Sequence, residues 1–179
     1  WPTGWKWQDI EPAFQAVEAG LRIRHREGTT FTEKALVAAE AVGFKRKHGM
    51  NDGALCGFMG YNDMNYENQE RRNTYTAFLR DVADRDTLTI HTKSLVHRIL
   101  FEGDRAVGVE VEIKGKKRII KANKEVILCA GALETPKLLM LSGVGPADHL
   151  KSLGIPVVKD IQSIGENLHD HPNVAMFYQ

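Results

Sequence analysis

The chain has 179 residues, 26% of them charged and 42% hydrophobic, with a formal net charge of +1. That composition is ordinary for a globular protein with a core of its own. A charge this near neutral, with no basic stripe interleaved with aromatics, gives no footprint for nucleic acid. No apolar run approaches the roughly 20 residues of a transmembrane segment. Two cysteines, Cys56 and Cys129, cannot make a disulfide framework. The chain opens on Trp1 rather than Met, which reads as a segment of a longer protein and leaves the compartment open.

In chain order, Asp9 is placed to cap a first helix, with Pro12 early in it. Ile10, Phe14, Val17 and Leu21 recur at helical spacing and predict one apolar face. Arg22 to Glu27 is a charged connecting strand or loop. Thr30 and Glu33, three apart, match a capping box for a helix over Ala35 to Val42 that Gly43 closes. Phe44 to Tyr66, rich in glycine, Asn and Asp, predicts a long irregular loop of the kind that lines binding sites. A third helix is expected over Arg71 to Val82, burying Tyr75, Phe78, Leu79 and Val82.

From Asp86 the period changes. Leu88 and Ile90 alternate with polar residues, Ser94 to Phe101 follows, and Gly103-Asp104 is a turn signal. Val107, Val109, Val111 and Ile113 alternate with Gly108, Glu110, Glu112 and Lys114. Gly115 then turns the chain and Arg118 to Ala122 returns. This alternation predicts half-buried antiparallel strands, here a three-stranded meander.

The chain is organised around Lys124 to Gly145, KEVILCAGALETPKLLMLSGVG. Glu125 to Cys129 is short, apolar and rich in Val and Ile, and predicts a buried strand with Cys129 as a small buried hydrophobe. Ala130-Gly131-Ala132 turns the chain, and Gly131, lacking Cβ, lets backbone or ligand approach closely. Thr135-Pro136 stands in the first turn of a short helix over Leu138 to Leu141, which Ser142-Gly143 stops. Open α/β sheets bind ligands at such strand–turn–helix junctions. Pro146 to Leu153 is another short helix ending at Gly154, and Gly165 to Pro172, GENLHDHP, is a polar loop.

Gly143-Val144-Gly145 begins a dinucleotide fingerprint. Position 148 is Asp rather than Gly, and a helix rather than a strand precedes it, so it is not a phosphate loop. Such a loop, if the intact protein has one, is expected before Trp1. His169-Asp170-His171 invites a metal, but neighbours on an extended chain face opposite ways and no third ligand pattern is near, so no metal is expected. His171 is also a candidate general base.

The organising stretch resembles the second signature of the glucose-methanol-choline (GMC) family of FAD-dependent oxidoreductases. Its small residues are Gly131-Ala132, its Ser/Thr-Pro is Thr135-Pro136, its aliphatics are Leu138-Leu139, and Ser142-Gly143-Val144-Gly145 closes it. The resemblance extends in order along the chain. It takes in Trp5-Lys6-Trp7 with Pro12 and Phe14, Asn51-Asp52 with Gly57-Phe58, Arg71-Arg72 through Ala77-Phe78-Leu79, Leu88 to Phe101, and Gly165 to His171. Asn73 stands where the family keeps a small residue. A meander placed ahead of a strand that ends in an Ala-Gly turn is also similar to many flavoproteins with two dinucleotide-binding domains.

The resemblance implies an α/β fold of mixed α+β character. Residues 86–154 would be the meander, strand and signature helix of a Rossmann-like FAD-binding domain. Residues 1–85 would be a mostly helical segment contributing substrate-side and FAD-domain elements, and 155–179 the return to a substrate-binding domain. It implies FAD as cofactor, with Val96 holding the adenine end through its main chain and Ala130 and Gly131 bordering the adenosine. Asn167, Asp170 and His171 would have a positioning role near the domain interface. The catalytic His and its His or Asn partner are expected beyond Gln179, so no catalytic residue is expected here. The intact enzyme would oxidise the CH–OH group of an alcohol or sugar and pass electrons to oxygen or a quinone-like acceptor. This segment alone would neither hold FAD tightly nor turn over. The alternatives are a hydroxynitrile lyase on the same scaffold and a non-catalytic α/β binding protein.

Overall fold

Residues 2–25, 28–49, 52–54, 56–68 and 70–174 are described in the computed structural model. Trp1, Arg26 and Glu27 of the charged run, Met50, Asn51 and Leu55 of the glycine-rich stretch, Gln69, and 175–179 lie outside the described residues. The chain divides into two units, Trp1–Ile90 and His91–Gln179.

In the first unit, helix α1 (Trp7–Leu21) starts earlier than the sequence suggests. Lys6 takes the cap position, and Asp9 stands in the first turn, where its Oδ2 accepts the Lys6 N–H at 3.1 Å. Asp9 is therefore the acidic half of a capping box rather than the cap, and Pro12 falls inside the helix. The predicted apolar face is largely open, with Phe14 and Val17 half-exposed. Helical spacing fixes which residues share a face, not whether anything covers it. At the other end Gly20 serves close packing: a Cβ there would lie 2.6 Å from Cε1 of Phe78.

Helix α2 (Thr30–Ala41) is capped by Thr29, whose Oγ1 accepts the Thr32 N–H at 3.2 Å. The cap thus lies one residue before the predicted pair, and Glu33 turns to other partners. Gly43 closes the helix as predicted: its N–H reaches Glu40 O at 3.1 Å and the Phe44 N–H reaches Ala39 O at 3.0 Å, the paired bonds of a left-handed glycine stop.

Phe44 to Tyr66 is more ordered than its composition suggests. Strand β1 (Ile23–His25) pairs antiparallel with β4 (Asp63–Glu67), which pairs with β5 (Glu70–Arg71). Strand β2 (Lys45–Lys47) pairs in parallel with β3 (Phe58–Gly60). Strands this short give no readable alternation between glycines. Arg71, expected in a helix, is in β5. The helical turn starts after Asn73, whose Oδ1 accepts the Thr76 N–H while its own N–H donates to Thr76 Oγ1, both at 3.0 Å. A widened turn, Tyr75–Leu79, then a tight one, Arg80–Val82, replace the regular helix, and Tyr75 and Phe78 stay half-exposed. Arg72 ties this unit together, donating to Gly20 O at 3.2 Å and pairing with Glu67 at 3.0 Å.

The meander of the second unit forms as predicted. Strands β6 (Ser94–Glu102), β7 (Arg105–Ile113) and β8 (Lys116–Lys121) make one antiparallel sheet in that order. Lys114 and Gly115 are both left-handed, φ 51° and 74°, as a two-residue hairpin turn between twisted strands requires. The alternation at Leu88 and Ile90 makes no strand. Among the described residues neither does Glu125–Cys129: Ile127 is 74% exposed and Cys129 is exposed. A run apolar on both faces becomes a buried strand only between neighbouring strands, and no described strand pairs with it.

Helix α3 (Gly131–Leu141) begins at the glycine turn rather than at Leu138, so Pro136 sits inside it. Ser142-Gly143 stops it as predicted, Gly143 being left-handed at φ 89°. Strand β9 (Val144–Gly145) pairs in parallel with β10 (Lys159–Asp160), and helix α4 (Ala147–Ser152) lies between them, burying Leu150 completely. A Cβ at Gly143 would stand 2.5 Å from Pro156 O, so this glycine lets two chain segments touch. Gly143→Ala is expected to cost more than the roughly 1–2 kcal/mol of a left-handed alanine alone. Gly115→Ala, at a left-handed turn with open space around it, should cost only that strain. Urea unfolding of the two variants checks the difference.

Candidate functional site

The signature stretch divides into a closed half and an open half. In the closed half, Ser142 is 8% exposed and Gly143, Val144 and Gly145 are buried. Ser142 Oγ donates to Leu138 O at 2.6 Å, one turn back, and accepts the Ile99 N–H of β6 at 2.8 Å. A Cβ at Gly145 would meet Met140 Cγ at 2.8 Å. The glycines are filled by this chain's own atoms, which accords with rejecting Gly143-Val144-Gly145 as a phosphate loop.

The open half lies at the start of α3. Ala130 occupies the cap position with φ −84° and ψ 0° and offers no side-chain cap. Gly131 follows at φ 87°, with nothing within 4 Å of where a Cβ would stand. First-turn N–H groups without a side-chain cap are free to donate to a ligand. Pro136, having no N–H, also leaves the Ala132 carbonyl without its helical donor.

Beside this turn is a cavity of about 540 Å³, within the range of small-molecule sites. Ala132, Leu133, Pro136 and Met140 of α3 form one wall, and the residues from Gly165 to His169 the other. Met140 bridges them, its Cε lying 3.5 Å from where a Cβ on Gly165 would stand. Asn167 is left-handed at φ 57°. The structure thus joins the signature helix to the GENLH stretch, which sequence reading kept apart. Val96 lies on β6, half-buried opposite Val111 and immediately before a register shift between Val96 and Arg98. His169, Asp170 and His171 are exposed, and the His171 N–H donates to Asp170 Oδ1 at 2.7 Å. Among the described residues no group of three or more His, Cys, Asp or Glu is placed to hold a metal. Sequence reasoning missed Ser142 as a tie between elements; its only signal was a serine between a helix and a glycine.

The first unit carries the displaced titrations. The Tyr61 hydroxyl donates to Glu33 Oε1 at 2.6 Å, and Arg46 Nη1 donates to Glu33 Oε2 at 2.9 Å. Tyr61, then Arg46, hold the Glu33 carboxyl below its ordinary range. In return Glu33 pushes the Tyr61 phenol up and, with Glu40, the Arg46 guanidinium up. Lys47, at 2.5 Å, and the Ala54 N–H, at 3.0 Å, hold the Asp52 carboxyl down.

A three-stranded meander followed by a glycine turn into a helix without a side-chain cap is a mixed α/β arrangement. The chain matches the family described as GMC oxidoreductase over residues 2–173. Mitochondrial choline dehydrogenase of Homo sapiens is 44% identical over 136 residues, which are 76% of this chain and 23% of that one. Oxygen-dependent choline dehydrogenase of Rhizobium etli is 34% identical over 183 residues, covering 94% of this chain and 33% of that one. Pyridoxine 4-oxidase from Mesorbium loti superposes with a TM-score of 0.76 at 30% identity, over 90% of this chain and 35% of that one. An FAD-dependent oxidoreductase from Chaetomium thermophilum gives 0.72 at 28% identity, over 88% and 32%. This chain belongs to the GMC oxidoreductase family, and it spans about a quarter to a third of the length of these relatives.

The Glu33–Tyr61 bond has a pH window. Glu33, depressed when folded, contributes stability above the ordinary carboxylate range that is lost as pH falls through its lowered value. Tyr61, raised when folded, contributes stability below a pH of about 10 that is lost as pH rises through its raised value. The phenolate absorbance difference between wild type and Tyr61→Phe should therefore appear above the ordinary tyrosine range. Glu33→Gln should bring it back down; identical titrations in the two backgrounds would contradict the assignment.

Proposed function

We propose that this chain is the part of an FAD-dependent oxidoreductase acting on the CH–OH group of an alcohol that holds the adenosine end of the cofactor. The observation that carries this reading is the open approach to Gly131 at the uncapped start of α3, in a chain that matches the GMC oxidoreductase family almost end to end. The residues fit such a group. Gly131 leaves the space that any side chain would fill, and the first-turn N–H groups of α3 can donate to ribose or phosphate oxygens. Ala130 borders the same turn. Val96, on an edge strand of the meander sheet, would meet the adenine edge through its main-chain N–H and C=O. Residues 86–154 would then belong to the FAD-binding domain. Residues 1–85 would supply helical substrate-side and FAD-domain elements, and 155–179 would return the chain toward a substrate-binding domain.

When bound, FAD supplies the two-electron redox chemistry. The residues of this chain bind and orient. Gly131 admits the ligand, α3 presents uncompensated N–H groups, and Met140 with Leu133 and Leu168 keeps the adjoining cavity apolar. Asn167, Asp170 and His171 would help position the interface between the two domains. Proton abstraction from the alcohol is assigned to a His outside this chain, and electrons would pass on to oxygen or a quinone-like acceptor. Choline is the first alcohol to try, because the choline dehydrogenases are among the relatives.

The test is the visible spectrum of the full-length protein with its native flanks. Flavin bands that bleach on adding an alcohol are expected. Bands that no alcohol bleaches would favour a lyase on this scaffold, and a folded protein without flavin would favour a binding protein and overturn the proposal. In the same protein Gly131→Ala should weaken FAD by roughly tenfold, because its Cβ would stand in the space the ligand approaches through, measured by flavin release on dilution.

A further inference from the structure

We infer that Ser142 is a positioning residue for the cofactor. It fixes the strand that carries Val96 against the helix that carries Gly131, so its hydroxyl sets FAD affinity without touching FAD. The inference rests on reading Val96 and Gly131 as contacts of the adenosine end, and names what holds those contacts in register.

The geometry is specific. Strand β6 is an edge strand of its sheet, paired among the described residues to β7 on one side only. The Ile99 N–H, on a residue 4% exposed, is met by Ser142 Oγ at 2.8 Å. The serine can accept there because its own proton goes to Leu138 O at 2.6 Å. That second bond fixes the hydroxyl's rotation and turns its lone pairs toward β6. One side chain therefore joins the last turn of α3 to the middle of β6.

The register of β6 on β7 shifts between Val96 and Arg98. A bulge bends its strand and re-aims the neighbouring main chain. Ile99, held by Ser142, is the first paired residue beyond Arg98. The main-chain direction at Val96 is thus set between β7 on one side and the serine bond just past the bulge. Remove the bond and a buried donor loses its acceptor, so β6 must move or take in water. Either change would displace Val96 relative to Gly131, while the fully buried Leu150 of α4 keeps its own packing.

The experiment uses the full-length protein stripped of flavin and reconstituted, with Kd read by flavin fluorescence quenching and, separately, with ADP as a probe of the adenosine end. Ser142→Ala is expected to raise both constants about tenfold. Ser142→Cys keeps the side chain's shape but is a weak acceptor, and should move both in the same direction by less. Leu150→Val, which loosens the buried contact of α4 in the same unit without touching the Ser142 bonds, should lower the melting temperature and leave both constants within twofold of wild type. The inference is overturned if the serine variants melt earlier yet bind FAD and ADP as wild type does. It is equally overturned if Leu150→Val weakens binding as much as they do, because affinity would then merely track stability. Failure of wild type itself to bind FAD is a separate result, and it removes the functional reading instead.

Discussion

The second unit depends on one buried hydroxyl. Ser142 answers the Ile99 N–H and the Leu138 carbonyl with a single oxygen. An outer strand packed under a helix presents polar main-chain groups to an apolar neighbour, and each of them needs a partner. A serine at the end of the helix is short enough to stay buried and polar enough to serve both elements. The glycines after it do complementary work, letting the returning segment at Pro156 and the Met140 side chain come into contact. The densest part of the signature is therefore architectural, and its open part lies eleven residues earlier in the chain, at Gly131.

That separation changes how the signature is understood. A motif recognised by its glycines invites the assumption that every glycine meets a cofactor. Here Gly143 and Gly145 meet protein atoms, whereas Gly131 meets none within 4 Å. The cavity beside α3 adds a second partner, because Gly165 to His169 forms its far wall. Two stretches more than twenty residues apart thus belong to one feature, and Met140 is the side chain that joins them.

The meander, its turns and the glycine stop of α2 were legible because each rests on local rules: alternation, left-handed turn residues and paired helix-end bonds. The caps of α1 and α2 were legible only to within a few residues, since Asp9 and Thr30 are chemically able to cap and only the backbone decides that Lys6 and Thr29 do so. Glu125 to Cys129 was misread for a different reason. Its apolar pattern describes the neighbours it is suited to, and none of the described strands is one of them. Strands β2 and β3 were invisible because each has three residues and they find each other across a glycine-rich stretch. The open turn at Gly131 was foreseen from residue type alone. Ser142 was not, because a hydrogen bond between residues 43 apart leaves no trace in spacing.

The two-residue turns of the meander also bear on the order in which this unit assembles. Gly103-Asp104 and Lys114-Gly115 each bring successive strands together with almost no intervening chain to close, so the entropy lost in closing either loop is small. The bond from Ser142 to Ile99 spans a far longer loop and gains from a sheet that already exists. The economical sequence is therefore hairpin, then second hairpin, then capture of the helix by its serine. A substitution at the turns would be felt in the folding rate, whereas one at the serine would be felt mainly in how fast the finished unit comes apart.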